Sequence, residues 1–525
     1  MKRIILLFIA SVFVLTSTAQ VSSKFARKIK WKEIEKTKRQ PDPTLVGNTD
    51  RDLFFIKEKK GKSTIEKYSV SSLLMKSSSL LELEFKKKKL RFINSFMIGK
   101  NPIILTSFYN KKTRTNYLFY HVVNPKNLTM SKPKVLASRV FKKTKKSKKS
   151  GQSIYDFGGI STNSSKDGSI TFVSFPDPSK EDINSDKVNK SYIGKIFDED
   201  FKEVNDFKFN FPFDRFQIRE TKVSNDGLAY LLVDELVVGK TSKNKRRESL
   251  LISGTYLFFI DVVSGESESI KLELEENLYF NQISLKPLKN GGVVISGLTE
   301  KSDQNGVSGS FSILFDKDLI EKNNSSELFE KDFITATWSD RAKKKISKKN
   351  KKRDRKGKKK ISPQFYNYYV DHIVELSDGS ITVLAEQYYV RVVTHSYTNS
   401  NGSTYTTTTY YYYYNDIIAI NYDSDGVFSW KKRIKKHQVS TNDGGYYSSY
   451  FVVEHDDDIE IIYNEGKVAV KVQLGPEGSI KKDNIIEFSE RKMRLVPKQC
   501  GILRGEGIFL YAKGKTGSKI GVLKF

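Results

Sequence analysis

Short apolar runs alternate with tight polar turns along this chain, in a rhythm that strands make and helices do not. Asp167-Gly168 precedes Ile170 to Phe175, and Asp226-Gly227 precedes Leu228 to Val233. Asn290-Gly291 precedes Val293 to Ser296, and Asp378-Gly379 precedes Ile381 to Ala385. Asp-Gly and Asn-Gly accept the positive φ angles of two-residue hairpins, so each pair predicts a hairpin turn. Weaker copies stand at Asp50-Arg51, Gly99-Lys100, Asp457-Asp458 and Gly505-Glu506. A second turn follows several of these, as Phe197-Asp198-Glu199-Asp200, Phe315-Asp316-Lys317-Asp318 and Tyr422-Asp423-Ser424-Asp425. No 3.6-residue apolar period is sustained after residue 19, and the best helical stretch, Ile29 to Lys38, also reads as a strand. The chain is expected to be all-β.

Each unit then offers four strands, a to d, with the Asp-Gly turn between a and b and the Phe-Asp-x-Asp turn between c and d. Repeats of about 50 to 65 residues with four strands each are the signature of propeller blades. The first turns fall near 50, 99, 167, 226, 290, 378, 457 and 505, which makes eight units. We therefore expect a single closed β-propeller of eight four-stranded blades, with units at about 41–86, 90–138, 153–211, 214–275, 279–330, 365–438, 446–488 and 491–525. Seven blades is the alternative if one weak unit is misread, and a pair of β-sandwiches is the competing architecture. The last unit has strands for a, b and c only, so residues 26–37 are expected to supply its fourth strand and close the ring. The resemblance is to β-propellers in general. The Trp-Asp repeat of WD40 proteins is missing, and Asp425 to Trp430 keeps only part of the turn motif of sialidase-like propellers.

The first residues point to a compartment. Lys2-Arg3, an apolar run from Ile4 to Leu15, and small residues at Ser17 and Ala19 predict a signal peptide, residues 1–19, cleaved after Ala19. A run of 12 positions, apolar but for Ser11, falls short of the roughly 20 that span a bilayer. The chain is thus expected to be exported: periplasmic, held at the cell surface or secreted. Cys500 is the only cysteine, so an intramolecular disulfide is excluded.

Charge changes the picture because it is clustered. The formal net charge is +30, and four runs carry nearly all of it: Lys86 to Arg91 (+5), Lys142 to Lys149 (+6), Lys240 to Arg247 (+5) and Lys343 to Lys360 (+12). Strand alternation puts b–c loops and d–a links on one face of a propeller, and all four runs fall in such connections. So does the Tyr- and Thr-rich insertion 391–415, which predicts a projecting hairpin with tyrosines on both faces. The opposite face keeps only tight turns.

The residues expected to meet a partner are Lys343, Lys344, Lys345, Lys348, Lys349, Lys351, Lys352, Arg353, Arg355, Lys356, Lys358, Lys359 and Lys360. Lys142, Lys143, Lys145, Lys146, Lys245, Arg246 and Arg247 join them, with Tyr410, Tyr411, Tyr412, Tyr413 and Tyr414. Clustered lysines gain entropy by releasing counterions from a polyanion, and tyrosine offers a large amphipathic contact at low entropic cost. The plainer reading is a solvated charge run and a stable ribbon. Residues 342–360 are expected to be disordered, since the 13 like charges in the 18 residues from Lys343 to Lys360 repel and little can be buried. Outside the cytoplasm the partner would be an envelope protein complex, an acidic glycan or an anionic lipid surface, with nucleic acid last.

Catalytic and metal patterns are thin. His121, His372, His395, His437 and His455 share no zinc-ligand spacing. Asp423-Ser424-Asp425-Gly426 begins like a calcium loop, but Lys432 occupies the position that needs a bidentate Glu. No cofactor and no metal are expected. The function expected is a non-enzymatic scaffold or adaptor, with a carbohydrate-active hydrolase or lyase using channel carboxylates as the alternative. Three or more Asp, Glu, Tyr or Arg side chains converging in the channel would favour the enzyme. A lining of Val, Ile, Ser and Gly would favour the scaffold.

Overall fold

The computed structural model describes residues 29–35, 43–59, 61–140, 160–177, 190–240, 248–302, 306–336, 338–358, 365–488, 493–503, 507–515 and 517–523. The expected signal peptide lies outside the described residues. Among those residues eight antiparallel sheets of four or five strands follow one another along the chain. In chain order we call them sheets 1 to 8, spanning 44–80, 91–140, 161–210, 216–272, 278–328, 368–441, 450–487 and 494–523. In sheets 1 to 7 four successive strands lie side by side in sequence order, and sheet 8 adds the strand Ile29–Glu35 from the other end of the chain. Serial four-stranded meanders of this kind make an all-β propeller architecture.

The middle strands of each sheet are buried on both faces, which is why their sequences read as unbroken apolar runs. Phe54 and Ile56 pack toward sheet 2, whereas Leu53 and Phe55 pack toward sheet 8. Leu231 and Val233 face sheet 3, and Tyr230 and Leu232 face sheet 5. Successive side chains of a strand point to opposite faces, so one run feeds two cores. Seven of the eight buried clusters lie between sheets adjacent in the chain, and the eighth joins sheet 8 to sheet 1 through Phe509, Tyr511, Leu53 and Phe55.

The turns use the expected residues in a different geometry. Gly227, Gly291 and Gly379 adopt φ of 87°, 87° and 81°, while Asp226, Asn290 and Asp378 stay out of the left-handed region. Ser224 N–H bonds Leu228 O at 2.9 Å, and Gly227 N–H bonds Ser224 O at 3.4 Å. These are three-residue loops, not two-residue hairpins: a tight turn followed by one left-handed glycine, which keeps the strand twist. In the c–d turns the Asp198, Asp316 and Asp423 carboxylates each accept two backbone N–H bonds, at 2.8 to 3.1 Å. Asp423 therefore closes a turn with Asp425 and Val427 and is not aimed at an ion.

Two helices interrupt the pattern between sheets 5 and 6: α1 (Lys331–Thr335) and α2 (Asp340–Asp354). Helix α2 corrects the expectation of a disordered basic run over 342–360. Lysine, arginine and alanine are strong helix formers. Asp340 in the first turn and Lys351, Lys352 and Arg353 in the last suit the helix dipole. Lys359 and Lys360 lie outside the described residues.

The strand Ile29–Glu35 pairs antiparallel with Ser518–Leu523, setting Ile29 opposite Leu523 and Trp31 opposite Gly521. The Trp31 indole lies over Gly521, where a Cβ would come within 2.8 Å of it, and meets Phe488 edge-on at 6.1 Å. This strand covers the free edge of Ser518–Leu523, and exposed edges invite aggregation. Trp31→Ala should cost roughly 2 kcal/mol, below the loss for a fully buried aromatic, read as a lower urea midpoint. Deleting 29–35 should abolish a cooperative transition. A deletion variant that unfolds like the wild type would mean that the strand is a passive adherent.

Candidate functional site

The first strands of several sheets line a cavity of about 370 Å³ at the end of the molecule where the a–b turns lie. Glu220 and Lys222 come from Phe216–Val223, Ser284 and Lys286 from Leu278–Pro287, Asp371, His372 and Glu375 from Tyr368–Glu375, and Glu454 from Tyr450–Glu454. The lining is charged, not the Val, Ile, Ser and Gly surface expected of a scaffold. Sequence reading missed it because these residues sit one to three per strand on four strands, scattered over more than 200 positions.

Each carboxylate is already engaged between sheets. Glu220 accepts Ser284 Oγ at 2.7 Å and Leu285 N–H at 3.1 Å, and pairs with Lys222 at 3.1 Å. Glu375 accepts Lys289 N–H at 3.0 and 3.1 Å. Glu454 meets both Lys286 and Lys166 at 3.5 Å, while Lys286 donates to Ile373 O at 3.0 Å. Asp371 accepts Tyr450 O–H at 3.1 Å. These bonds tie first strands that no backbone ladder joins. Burial holds Lys286 below the usual lysine range against the pull of Glu454, and holds His372 below the usual histidine value. Asp371 keeps an exposed surface on the cavity yet its carboxyl is crowded by protein. That crowding, with the Glu386 carboxylate nearby, raises it to about 7.

Behind Asp371 a buried ion network runs toward the other end of the molecule. Lys436 is fully buried and pairs with Glu386, donating also to Tyr414 O at 3.3 Å and Gln438 Oε1 at 2.9 Å. Its ammonium lies over the Tyr414 and Tyr463 rings at 5.9 and 5.8 Å. Ser449 Oγ donates to Glu386 at 2.7 Å, and Lys498 donates to Tyr414 Oη at 3.3 Å. Burial lowers Lys436 and raises Glu386, so each disfavours its own charge while the pairing restores it.

This network anchors the long hairpin of Ile381–Thr398 and Thr404–Tyr422. Its outer part presents side chains on both faces. Thr394–Thr408, Ser396–Thr406 and Thr398–Thr404 hydroxyls bond across one face, and Tyr397 stacks on Tyr405 at 5.4 Å on the other. The short strand Gln438–Thr441 pairs with Tyr411 to Tyr414 and braces the base. The five tyrosines expected to act together therefore divide. Tyr410 is exposed, Tyr411, Tyr412 and Tyr413 are half-buried, and Tyr414 is a core residue. Tyr414 is excluded as a surface contact because its ring is the platform on which Lys436 and Lys498 sit.

Helix α2 leaves Lys343, Lys344, Lys345, Lys348, Lys349, Lys351 and Lys352 exposed along about 22 Å of axis. Ile346, Asn350 and Arg353 form its half-buried stripe. Beyond it Arg355, Lys356 and Lys358 are exposed. Lys86 and Lys87 turn a small hairpin between Glu84–Phe85 and Lys88–Lys89. Lys142, Lys143, Lys145, Lys146, Lys245, Arg246 and Arg247 lie outside the described residues. By strand alternation α2 (a d–a link) and the tyrosine hairpin (a b–c loop) leave their sheets at the same end, opposite the a–b turns.

By sequence, no protein-family model and no curated protein matches this chain. By structure it is similar to solved propellers. One is a structure described as the Dos1 propeller, with a TM-score of 0.46, 9% identity, and coverage of 95% of this chain and 96% of that one. Another is the WD40 domain of SCAP from fission yeast, at 0.36 and 9%, covering 95% and 98%. A third is prolyl oligopeptidase B from Galerina marginata, at 0.37 and 9%, covering 94% of this chain but 57% of that one. Enzymes and binding modules both occur among them, and likeness at this level says nothing of activity. Among the described residues no cluster of His, Cys, Asp and Glu could hold a metal, and no helix is long and apolar enough to cross a membrane.

The raised Asp371 sets a sign. Its ordinary value is 3.8, so between about pH 4 and 7 an unfolded chain has released a proton that the folded protein keeps. Folding grows less favourable across that window, and the cost is fully present above about 7. Asp371→Asn should therefore gain on the wild type in urea midpoint between pH 5 and pH 8, while still accepting the Tyr450 hydroxyl. A difference between the two proteins that is the same at both pH values would remove this assignment.

Proposed function

We propose that the chain is an exported, non-enzymatic scaffold or adaptor that binds a partner complex or an anionic envelope surface through one end of a closed, eight-bladed ring. The observation that carries this reading is the asymmetry of the two ends. One bears an exposed helix of lysines and a projecting tyrosine hairpin, and among the described residues the other bears only tight turns around the cavity. A rigid row of cations focuses potential better than a loose tether, because the charges need no ordering on contact. Closure is supported by the eight cores in cyclic succession and by the pairing of Ile29–Glu35 with Ser518–Leu523. Export rests on the apolar leader Ile4 to Leu15 and its small-residue cleavage pattern.

The second reading, a carbohydrate-active hydrolase or lyase, is favoured by the gathering of Glu220, Asp371, Glu375 and Glu454 in one cavity, the arrangement expected of an enzyme, and by the value near 7 of Asp371, where a general acid would be poised. Against it, Glu220, Glu375 and Glu454 are spent on neighbouring sheets. Release of reducing ends from acidic polysaccharides, lost in Asp371→Asn, would establish the hydrolase in place of the scaffold.

The binding test compares three proteins on an anionic matrix from about 50 to 500 mM salt, which brackets the range where surface charges are screened. Changing Lys343, Lys344, Lys345, Lys348, Lys349, Lys351 and Lys352 to Gln keeps helix propensity. It should cut retention about tenfold at physiological salt and flatten the salt dependence. Changing Tyr397, Tyr405 and Tyr410 to Ser should weaken retention without altering the slope. Equal retention of all three proteins at every salt concentration would reduce the decorated end to solvated surface.

A further inference from the structure

A second hairpin reaches out from the same end. The strands Leu228–Lys240 and Glu248–Asp261 pair all the way to Lys240 opposite Glu248. Their neighbours stop earlier: Phe216–Val223 ends opposite Glu235, and Ser267–Leu272 ends opposite Thr255. Beyond that level two strands continue alone, and among the described residues no strand covers either edge. Val237, Val238, Leu250, Leu251 and Ile252 are 43%, 48%, 55%, 37% and 54% exposed, and their register sets them on both faces. Water is a poor neighbour for five such side chains on a two-stranded ribbon, which is marginal on its own. The tyrosine hairpin shows the remedy within this chain, where Gln438–Thr441 adds a third strand to its base.

Charge chooses the occupant. The residues joining the two strands include Lys243, Lys245, Arg246 and Arg247 and no acid. A second copy would bring the same cations. A lipid layer deep enough to cover Val238 and Leu250 would have to admit the charged connection first. An extended polypeptide with acidic flanks satisfies the open backbone groups, the apolar faces and the charge together. The edge of Glu248–Ile252 faces the outer strand of its sheet and is reached from the rim, whereas the edge of Leu236–Lys240 faces the inner strand.

We propose that Glu248–Ile252 is a docking edge on which an apolar, acidic-flanked segment of a partner protein adds as a β-strand. This stands apart from the polyanion reading, which rests on α2.

The probe is a synthetic peptide of alternating valine and threonine with two glutamates at each end, and its control carries two lysines at each end. Added to the full chain, the first should slow backbone amide exchange in 249–253 about tenfold or more, as edge groups gain partners. The second should not. Leu250→Ser with Ile252→Ser should fold normally, because both side chains are exposed, and should lose the slowing. The proposal is overturned if the amides of 249–253 exchange equally with and without the glutamate peptide, or if both peptides slow them alike. It is also overturned if the protein alone sediments as a dimer that the double variant abolishes, which would make a second copy the occupant. Equal slowing by phosphatidylglycerol vesicles would overturn it in favour of lipid. Gln replacement of the α2 lysines leaves the peptide effect in place, so the two proposals fail separately.

Discussion

Burial of both faces of the middle strands is the constraint on which the rest depends. A four-stranded sheet cannot shield its own two faces, so each sheet must be sandwiched, and serial packing with sheet 1 against sheet 8 is the outcome. Once the cores occupy the middle strands, the first strands are left at the inner side with little apolar surface to share. Their contacts with one another are polar: Glu220 to sheet 5, Glu375 to sheet 5, and Glu454 to sheets 5 and 3. The charged channel is thus a consequence of how the core is distributed as much as a functional device. A buried or half-buried ion pair is costly to form and costly to break, so these links favour one arrangement of the sheets more than they add stability.

What was legible in the sequence follows the same division. Runs such as Leu228 to Val233 announce strands because both neighbours of each strand are apolar, and the glycines at 227, 291 and 379 announce turns because only glycine enters the left-handed region freely. The pairing of the two chain ends was legible from a unit with one strand missing. The site was less so. Asp371, Glu386 and Glu454 are charges in ordinary strands and Lys436 stands in the basic stretch 431–436, and nothing in their spacing says that folding gathers them. The only signal was indirect and partial: Glu386 closes the run Ile381 to Ala385 where a solvent-facing residue would ordinarily begin, whereas Lys436 looks like one more surface lysine.

Two misreadings share a physical cause. Treating 342–360 as disordered weighed repulsion between lysines and ignored the helix propensity of the same side chains. Treating all of Tyr410 to Tyr414 as contact residues allowed for tyrosines on both faces but ignored the burial of the inner end against Lys436 and Lys498. Both corrections sharpen the functional picture. The basic segment is a rod with a half-buried stripe, and the tyrosine run is an anchor that becomes a projecting ribbon only beyond its base.

The pairing of Ile29 with Leu523 has a kinetic consequence. The contact links positions about 500 residues apart, the kind of non-local pairing that is slow to form and enters late. Whatever order the other sheets fold in, sheet 8 keeps an unpaired edge until Ile29–Glu35 and Ser518–Leu523 have met. A molecule in which they have not met would carry seven packed sheets and one open one, native in most of its surface yet unable to lock. Locking of the fold therefore waits on one distant encounter, and a molecule that has missed it advertises itself by that edge.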